Sequence, residues 1–176
     1  MRRREFVMLS ATVAWPFAAR AQQKKSWRVG FLGDGPRGER APTSLEPFLD
    51  GLRELGYAVG ENLLIEERWS EGNSNRLGSL AAELVGLKVD VIVTHGVPAA
   101  TATHAATQTI PIVVAVAADL IRIGLAESLA RPGGNVTGST DQVTEFAGKE
   151  IQVLRDALPQ LRRVSILWNK ANPGLH

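Results

Sequence analysis

Residues 89–116, VDVIVTHGVPAATATHAATQTIPIVVAV, contain two apolar runs on either side of an alanine-rich segment. The first run, Val89 to Val93, is almost entirely apolar and β-branched, which is typical of a strand covered on both faces of a sheet. The second run, Ile110 to Val116, has the same character and carries Pro111 near its start, where a missing donor is tolerated. Between them, Ala99 to Thr107 predicts a helix. Two buried strands joined by a helix form the βαβ unit of a parallel sheet.

The residues before this unit repeat the alternation of strand and helix. Val29 to Leu32 predicts a strand, and Leu63 to Ile65 opens a second one. A helical spacing of three and four follows each strand. The first set is Leu45, Phe48, Leu49, Leu52 and Leu55, and the second is Leu77, Leu80, Ala81 and Leu84. Thr43 and Glu46 fit a capping box at the start of the first helix, and Gly56 is placed to end it.

The residues after the unit continue in the same way. Leu125 to Ala130 predicts a short helix, and Asn135 to Ser139 predicts a further strand. One face of a longer helix follows at Ala147, Ile151, Leu154 and Leu158. Val164 to Trp168 predicts a last strand. The whole pattern predicts the α/β class, with an open parallel sheet flanked by helices.

The first twenty-one residues read as a secretory signal. A basic head, MRRR, precedes a mostly apolar run from Phe6 to Ala18 and the small-x-small sequence Ala19-Arg20-Ala21. The Arg3-Arg4-Glu5-Phe6 sequence also resembles a twin-arginine signal. We therefore predict cleavage after Ala21 and a periplasmic location. The chain has no cysteine to carry a lipid, so no stable membrane anchor is expected.

Composition excludes several classes of function. The absence of cysteine excludes disulfides, thiolate nucleophiles and zinc–thiolate sites. The net charge is +2, but residues 1–21 carry +3, so the remainder is slightly acidic. Without a basic face to release counterions, no nucleic-acid partner is expected. The sequence also lacks a nucleophile elbow and a metal-binding histidine spacing, so neither catalytic residues, nor a metal, nor a cofactor is predicted.

Small, hydroxylic or singly charged residues follow the predicted strands. In open parallel sheets, ligands bind at the carboxyl ends of the strands, on loops and helix starts. The candidate ligand-binding residues at these ends are Gly33, Asp34, Thr94, His95, Gly96, Pro98, Ala99, Asp119, Thr137 and Asn169. Pro98 suits the first turn of a helix, and free N–H groups at that helix start would attract a carboxylate.

Individual members of this set also have simpler interpretations. Residues 33–38 match the glycine spacing of a dinucleotide fingerprint, but Pro36 and Pro42 separate those glycines from the next helix, which favours a βα loop. His95 either meets a ligand or bonds to local backbone. Asp119 either meets a cationic group of a ligand or caps the helix after it.

Several long segments resemble one protein family. They are RRREF…WPFAARAQQ, RVGFLG, FLDGLRELGYAVGENLLIEERWSEG, LAAELVGLKVDVIVTHGVPAA, TIPIVVAVAADL, LARPGGNVTG and RRVSILWNKANPG. Together they resemble the substrate-binding proteins of ABC importers, in the branch associated with tryptophan and tyrosine uptake. The chain departs from this family at Ala118-Asp119-Leu120, where Gly-Asp-Pro is usual, and at Arg122, which replaces a small residue.

The resemblance implies a type I periplasmic-binding-protein clamshell, in which two α/β lobes close on a solute. Residues 22–140 would form the first lobe, and residues 141–176 the start of a truncated second lobe, because family members are roughly twice as long. The implied partners are an amino-acid-like, aromatic solute and a permease in the inner membrane. The ligand carboxylate would lie at the Gly96 to Ala99 helix start and its ammonium near Asp119. The alternatives are an exported α/β enzyme with its site on the same loops, and a non-functional gene relic.

Overall fold

The computed structural model describes residues 26–37, 45–141, 143–165 and 167. Their elements are β1 (Trp27–Gly33), α1 (Leu45–Glu54), β2 (Leu63–Trp69), α2 (Leu77–Gly86), β3 (Val91–His95), α3 (Val97–Ala106), β4 (Ile112–Ala118), β5 (Val136–Asp141) and α4 (Val143–Ala157). The strands form one sheet in the order β2-β1-β3-β4-β5, and every neighbouring pair is parallel. The predicted α/β class, an open parallel sheet flanked by helices, is confirmed.

Helices cover both faces of the sheet, but unequally. On one face, Leu80 and Leu84 of α2 and Ala99 of α3 pack with Leu32 and Ile92 into a fully buried cluster. The apolar residues of α2 recur at a spacing of three and four, and this spacing predicted the helix. Such a stripe lies on one face of a helix and is buried against another layer. Each of α2 and α3 buries four of its residues in this way.

The opposite face is covered by α1 over the β2, β1 and β3 side. Leu45, Phe48 and Leu52 of α1 pack over Phe31 and Val93, yet no residue of this helix is fully buried. The helix ends as its sequence predicts. Gly56 has a φ of +85° and donates to the Arg53 carbonyl, while the next N–H donates to the Leu52 carbonyl. This is a Schellman cap, which favours glycine because of the left-handed backbone.

Two predicted elements differ from the structure. Residues 125–130 form an irregular loop instead of a helix, although Leu125 is buried and anchors them against β4. Gly124, with a φ of +74°, redirects the chain at this point, and Ser128 closes a tight loop by bonding to both N–H and carbonyl of Arg131. Val164 and Ser165 lie outside any strand. Ile166, Trp168 and the capping residue Thr43 lie outside the described residues.

The described apolar side chains of the last helix, α4, are largely exposed. Phe146, Val153 and Leu158 along and just after it are at least half exposed. Two hollows of about 640 and 520 Å³ flank this helix, and the described residues that line them belong to α4 and the turn after it. A hollow with one wall encloses no ligand. None of the helices in the described ranges combines the length and apolar character that a bilayer crossing requires.

Candidate functional site

The carboxyl ends of the strands line up along one edge of the sheet. Gly33 at the end of β1 is in register with Trp69 of β2 and with His95 of β3. On the other side, Ala118 of β4 is in register with Asp141 of β5. The strand β3 is central, so its carboxyl end occupies the middle of this edge. We name this edge the carboxyl edge.

Gly33 allows a tryptophan to lie across the carboxyl edge. A Cβ at this position would come within 2.3 Å of two ring carbons of Trp69, so a side chain here would collide with the indole. The indole instead packs on Phe31, with ring centroids 5.1 Å apart, and its N–H donates to Glu67 at 2.9 Å. The candidate residue Gly33 therefore has a structural reason to be glycine.

Asp34 organises the loop between β2 and α2. Its carbonyl and carboxylate oxygens both accept hydrogen bonds from the Ser70 hydroxyl, at 2.6 and 2.8 Å. The Ser74 hydroxyl donates to the same carboxylate at 3.1 Å, and the Gly72 N–H donates to the Asp34 carbonyl. Ser70 is fully buried. The Asp34 side chain is thus engaged by the protein at the point where α2 is about to begin.

The start of α3 has a different character. Its N-cap is Gly96, with a φ of +84°, and within the described residues no side chain caps the first turn. The Gly96 N–H donates a hydrogen bond to the Val116 carbonyl, and Pro98 has no N–H to donate. The remaining backbone donors of this turn are those of Val97 and Ala99, two residues that are buried in this structure. A helix start with such donors and no anionic cap is favourable for a carboxylate.

Thr94 and His95 immediately precede this turn. Thr94 is fully buried, and its hydroxyl finds no hydrogen-bond partner in the part of the chain that the structure describes. It points to the sheet face that α2 and α3 cover, because it alternates with Val93 and lies on the side of Ile92. His95 points to the other face and is half-buried. The simple interpretation of His95, a bond to local backbone, has no counterpart among the hydrogen bonds of the described residues.

Asp119 caps the turn that follows β4. Its φ of +31° is left-handed, and its Oδ1 accepts the Arg122 N–H at 2.9 Å. The Arg122 guanidinium Nε lies 3.6 Å from Oδ2, so the carboxylate also has a cationic neighbour. The capping interpretation is therefore confirmed, although the capped segment is a turn and not a helix. About one-third of each side chain remains exposed, so a ligand could still reach this pair.

The remaining candidates lie elsewhere. Thr137 is the second residue of β5 and pairs with Val113, so its predicted position at a carboxyl end is wrong. The strand runs to Asp141, two residues beyond the prediction, and Thr140 and Asp141 hold that position instead. Asn169 lies outside the described residues. The structure thus brings Gly33, His95, Gly96 and Asp119 to one edge, together with their neighbours in sequence.

Sequence reasoning missed three participants at this edge. Ser70 and Ser74 bind Asp34, and Arg122 binds Asp119. The spacing of Arg122 three residues after an aspartate was the available signal for an ion pair. The described residues contain no grouping of three or more His, Cys, Asp or Glu side chains that could hold a metal ion.

Comparisons with known proteins connect this geometry to a family. The model of the family described as ABC transporter substrate binding protein matches residues 42–173. A tyrosine-binding protein of Clostridioides difficile is 30% identical over 149 residues, which is 85% of this chain and 42% of that protein. This family and this relative are described as binding proteins, not as enzymes.

Solved structures give the same result. An ABC domain from Streptococcus pneumoniae in complex with L-Trp has a TM-score of 0.66 and 27% identity over 78% of this chain and 45% of that one. A conserved domain protein from Vibrio cholerae has a TM-score of 0.66 and 30% identity over 77% and 45% of the two chains. A ligand-free, open substrate-binding protein with adhesive properties from Clostridium difficile scores 0.63 at 26% identity, over 76% and 44%. The chain spans less than half the length of these relatives.

Proposed function

Since this chain belongs to the ABC transporter substrate-binding protein family, we propose that its carboxyl edge binds an aromatic amino acid as the solute-binding part of an ABC importer. The observation that carries this proposal is the uncapped start of α3 at the middle of the edge, with the Val97 and Ala99 N–H groups as donors. A ligand carboxylate at this start would gain backbone hydrogen bonds and a favourable helix dipole.

The choice of an aromatic amino acid is supported by two relatives. One is a tyrosine-binding protein, and another was solved in complex with L-Trp. Asp119 supports a zwitterion, because its partly exposed carboxylate stands at the end of β4, the strand next to the one that leads into α3. In the proposed pose the ligand carboxylate meets α3 and the ligand ammonium faces Asp119.

The cellular setting is part of the same proposal. Residues 1–21, which lie outside the described residues, would direct export to the periplasm, and the partner would be a permease in the inner membrane. Residues 22–140 would form one lobe, and residues from 141 onward would belong to a second lobe. The exposed apolar side chains of α4 support a boundary near Asp141, since the described side chains of this helix pack little on the sheet.

Calorimetry with four related ligands tests the binding proposal. L-tryptophan and L-tyrosine should each give a saturable heat when titrated into the full chain. Tryptamine, which lacks the carboxylate, should bind at least tenfold more weakly, because one or two charge-assisted hydrogen bonds are lost. L-leucine controls for the aromatic ring. If neither aromatic amino acid gives heat or a thermal shift, the proposed function is wrong for this chain.

A further inference from the structure

Arg122 lies beside the carboxylate to which the proposed pose assigns the ligand ammonium. Its backbone N–H donates a hydrogen bond to Oδ1 of Asp119, and its guanidinium Nε lies 3.6 Å from Oδ2. The two residues are three positions apart in a turn, so the local backbone holds them together. A cation that approached Asp119 from the carboxyl edge would therefore meet a carboxylate that already has an intramolecular counter-ion.

The position of Asp119 is fixed by backbone contacts and does not depend on this ion pair. The Asp119 N–H points to the Asp141 carbonyl at 3.4 Å, and the Asp119 carbonyl accepts the Ile123 N–H at 3.2 Å. The left-handed φ of +31° sets the direction in which the side chain leaves the backbone. Loss of the Arg122 charge would therefore leave the Asp119 carboxylate in place and open it to another cation.

We propose that Arg122 is a specificity-determining residue that competes with the ligand ammonium for Asp119. This inference rests on the proposed function. A zwitterion such as tryptophan must displace the guanidinium to reach the carboxylate, whereas an aromatic carboxylate without an amine leaves the pair intact. The substrate class of the site therefore includes deaminated aromatic acids, and Arg122 reduces the advantage that an α-ammonium would otherwise give.

The test compares L-tryptophan with indole-3-propionate, which has the same ring and carboxylate but no ammonium. Both are titrated into the wild-type chain and into Arg122→Gln, which keeps the side chain as far as Cδ and removes its charge. Exposed ion pairs contribute little, so the expected gain in tryptophan affinity is about three- to fivefold. The affinity for indole-3-propionate should change by less than about twofold.

Two further variants make the comparison specific. Arg122→Lys keeps the positive charge and should retain most of the wild-type ratio of the two affinities. The Arg122 side chain is more than one-third exposed, so Arg122→Gln is expected to fold. Arg53→Gln removes the guanidinium of another i, i+3 ion pair, with Asp50 in the last turns of α1. Helix α1 runs antiparallel to the strands, so Arg53 lies toward the opposite edge, and its loss should leave the ratio unchanged.

The outcomes separate this inference from the proposed function. If Arg122→Gln weakens both ligands equally, the guanidinium binds the ligand carboxylate, and the competition model is wrong. If Arg122→Gln changes neither affinity, the model is also wrong, while the proposed function stands. If the wild type and all three variants bind neither ligand, the proposed function fails and this inference fails with it.

Discussion

The helices α2 and α3 both begin at the carboxyl edge, but their starts differ. A 3₁₀ turn, Ser74–Arg76, leads into α2 and is capped by the protein itself, whereas no described side chain caps the first turn of α3. Before α2, the Asn73 side chain accepts the Asn75 N–H, and the Asp34 carboxylate accepts the hydroxyls of Ser70 and Ser74. At α3, Gly96 offers no side chain, and the turn has no side-chain cap within the described residues.

This difference indicates which helix start is available to a ligand. An anion near α2 would meet the negative charge of Asp34, while an anion near α3 would meet N–H groups and the positive end of the helix dipole. Asp34, a candidate ligand residue, therefore acts in this account by organising the α2 start. The following changes test the contrast, from the largest expected effect to the smallest.

Gly33→Ala should cause the largest loss of stability. The added Cβ would lie 2.3 Å from the Trp69 ring, and it would push that ring, and Ser70 after it, out of place. Overpacking of this kind lowers the free energy of unfolding by about 3 kcal/mol. Urea denaturation measures the change. Gly51→Ala on α1, where a Cβ meets open space, is the control and should be neutral or slightly stabilising.

Asp34→Ala should lower the stability of the region before α2 but leave ligand binding at the start of α3 nearly unchanged. The buried Ser70 hydroxyl loses its carboxylate partner, and the free energy of unfolding should fall by about 2 kcal/mol. The affinity for L-tryptophan, measured by calorimetry below the unfolding transition, should change by less than about threefold. A loss of binding larger than tenfold would mean that Asp34 contacts the ligand.

Gly96→Asp should give α3 a side-chain cap, as Asn73 gives one to the 3₁₀ turn before α2. There is room for a Cβ, whose nearest neighbour would be Pro98 Cδ at 3.8 Å. Because Pro98 lacks an N–H, the new carboxylate would cap the Ala99 N–H and repel a ligand carboxylate, so tryptophan affinity should fall at least about tenfold. Gly96→Ala carries the same left-handed strain without the charge. Equal losses in the two variants would refute the role of the capping group.

Thr94→Val and Thr103→Val form a matched pair with a smaller expected effect. Both threonines are fully buried, but the Thr103 hydroxyl donates to the Ala99 carbonyl at 2.9 Å while that of Thr94 finds no described partner. Thr103→Val should lower the free energy of unfolding by about 1 kcal/mol, and Thr94→Val should leave it equal or slightly higher. Thermal denaturation compares them. A large loss in Thr94→Val would show that its hydroxyl is satisfied in solution.

The sequence predicts the alternation of strands and helices because the apolar runs are long and differ clearly in period. The ends of the strands and helices are predicted less accurately. The strands β3 and β4 begin and end two residues later than predicted, since Val89 is buried just outside the sheet and looks like a strand residue. Residues 125–130 have a helical pattern, but the turn at Gly124 and the bonds of Ser128 to Arg131 stabilise another conformation.

The sequence placed those site residues that directly follow a clearly predicted strand. It missed those whose location depends on how long a strand is or on how the strands pair. Gly96 and Pro98 follow a clear strand, so their place at a helix start was evident. Thr137 was misplaced because β5 continues to Asp141, and the partners of Asp34 lie 36 and 40 residues away along the chain. Contacts at that separation depend on how β1 and β2 pair, which no local pattern encodes.

The most direct measurement of the central contrast is a titration of the ¹⁵N-labelled chain with L-tryptophan, followed through its backbone amide signals. We expect saturable shifts at Val97 and Ala99, the donors of the α3 start, and unchanged signals at Asn75 and Arg76 before α2. Shifts confined to Asn75 and Arg76, or no shift at either helix start, would contradict the account.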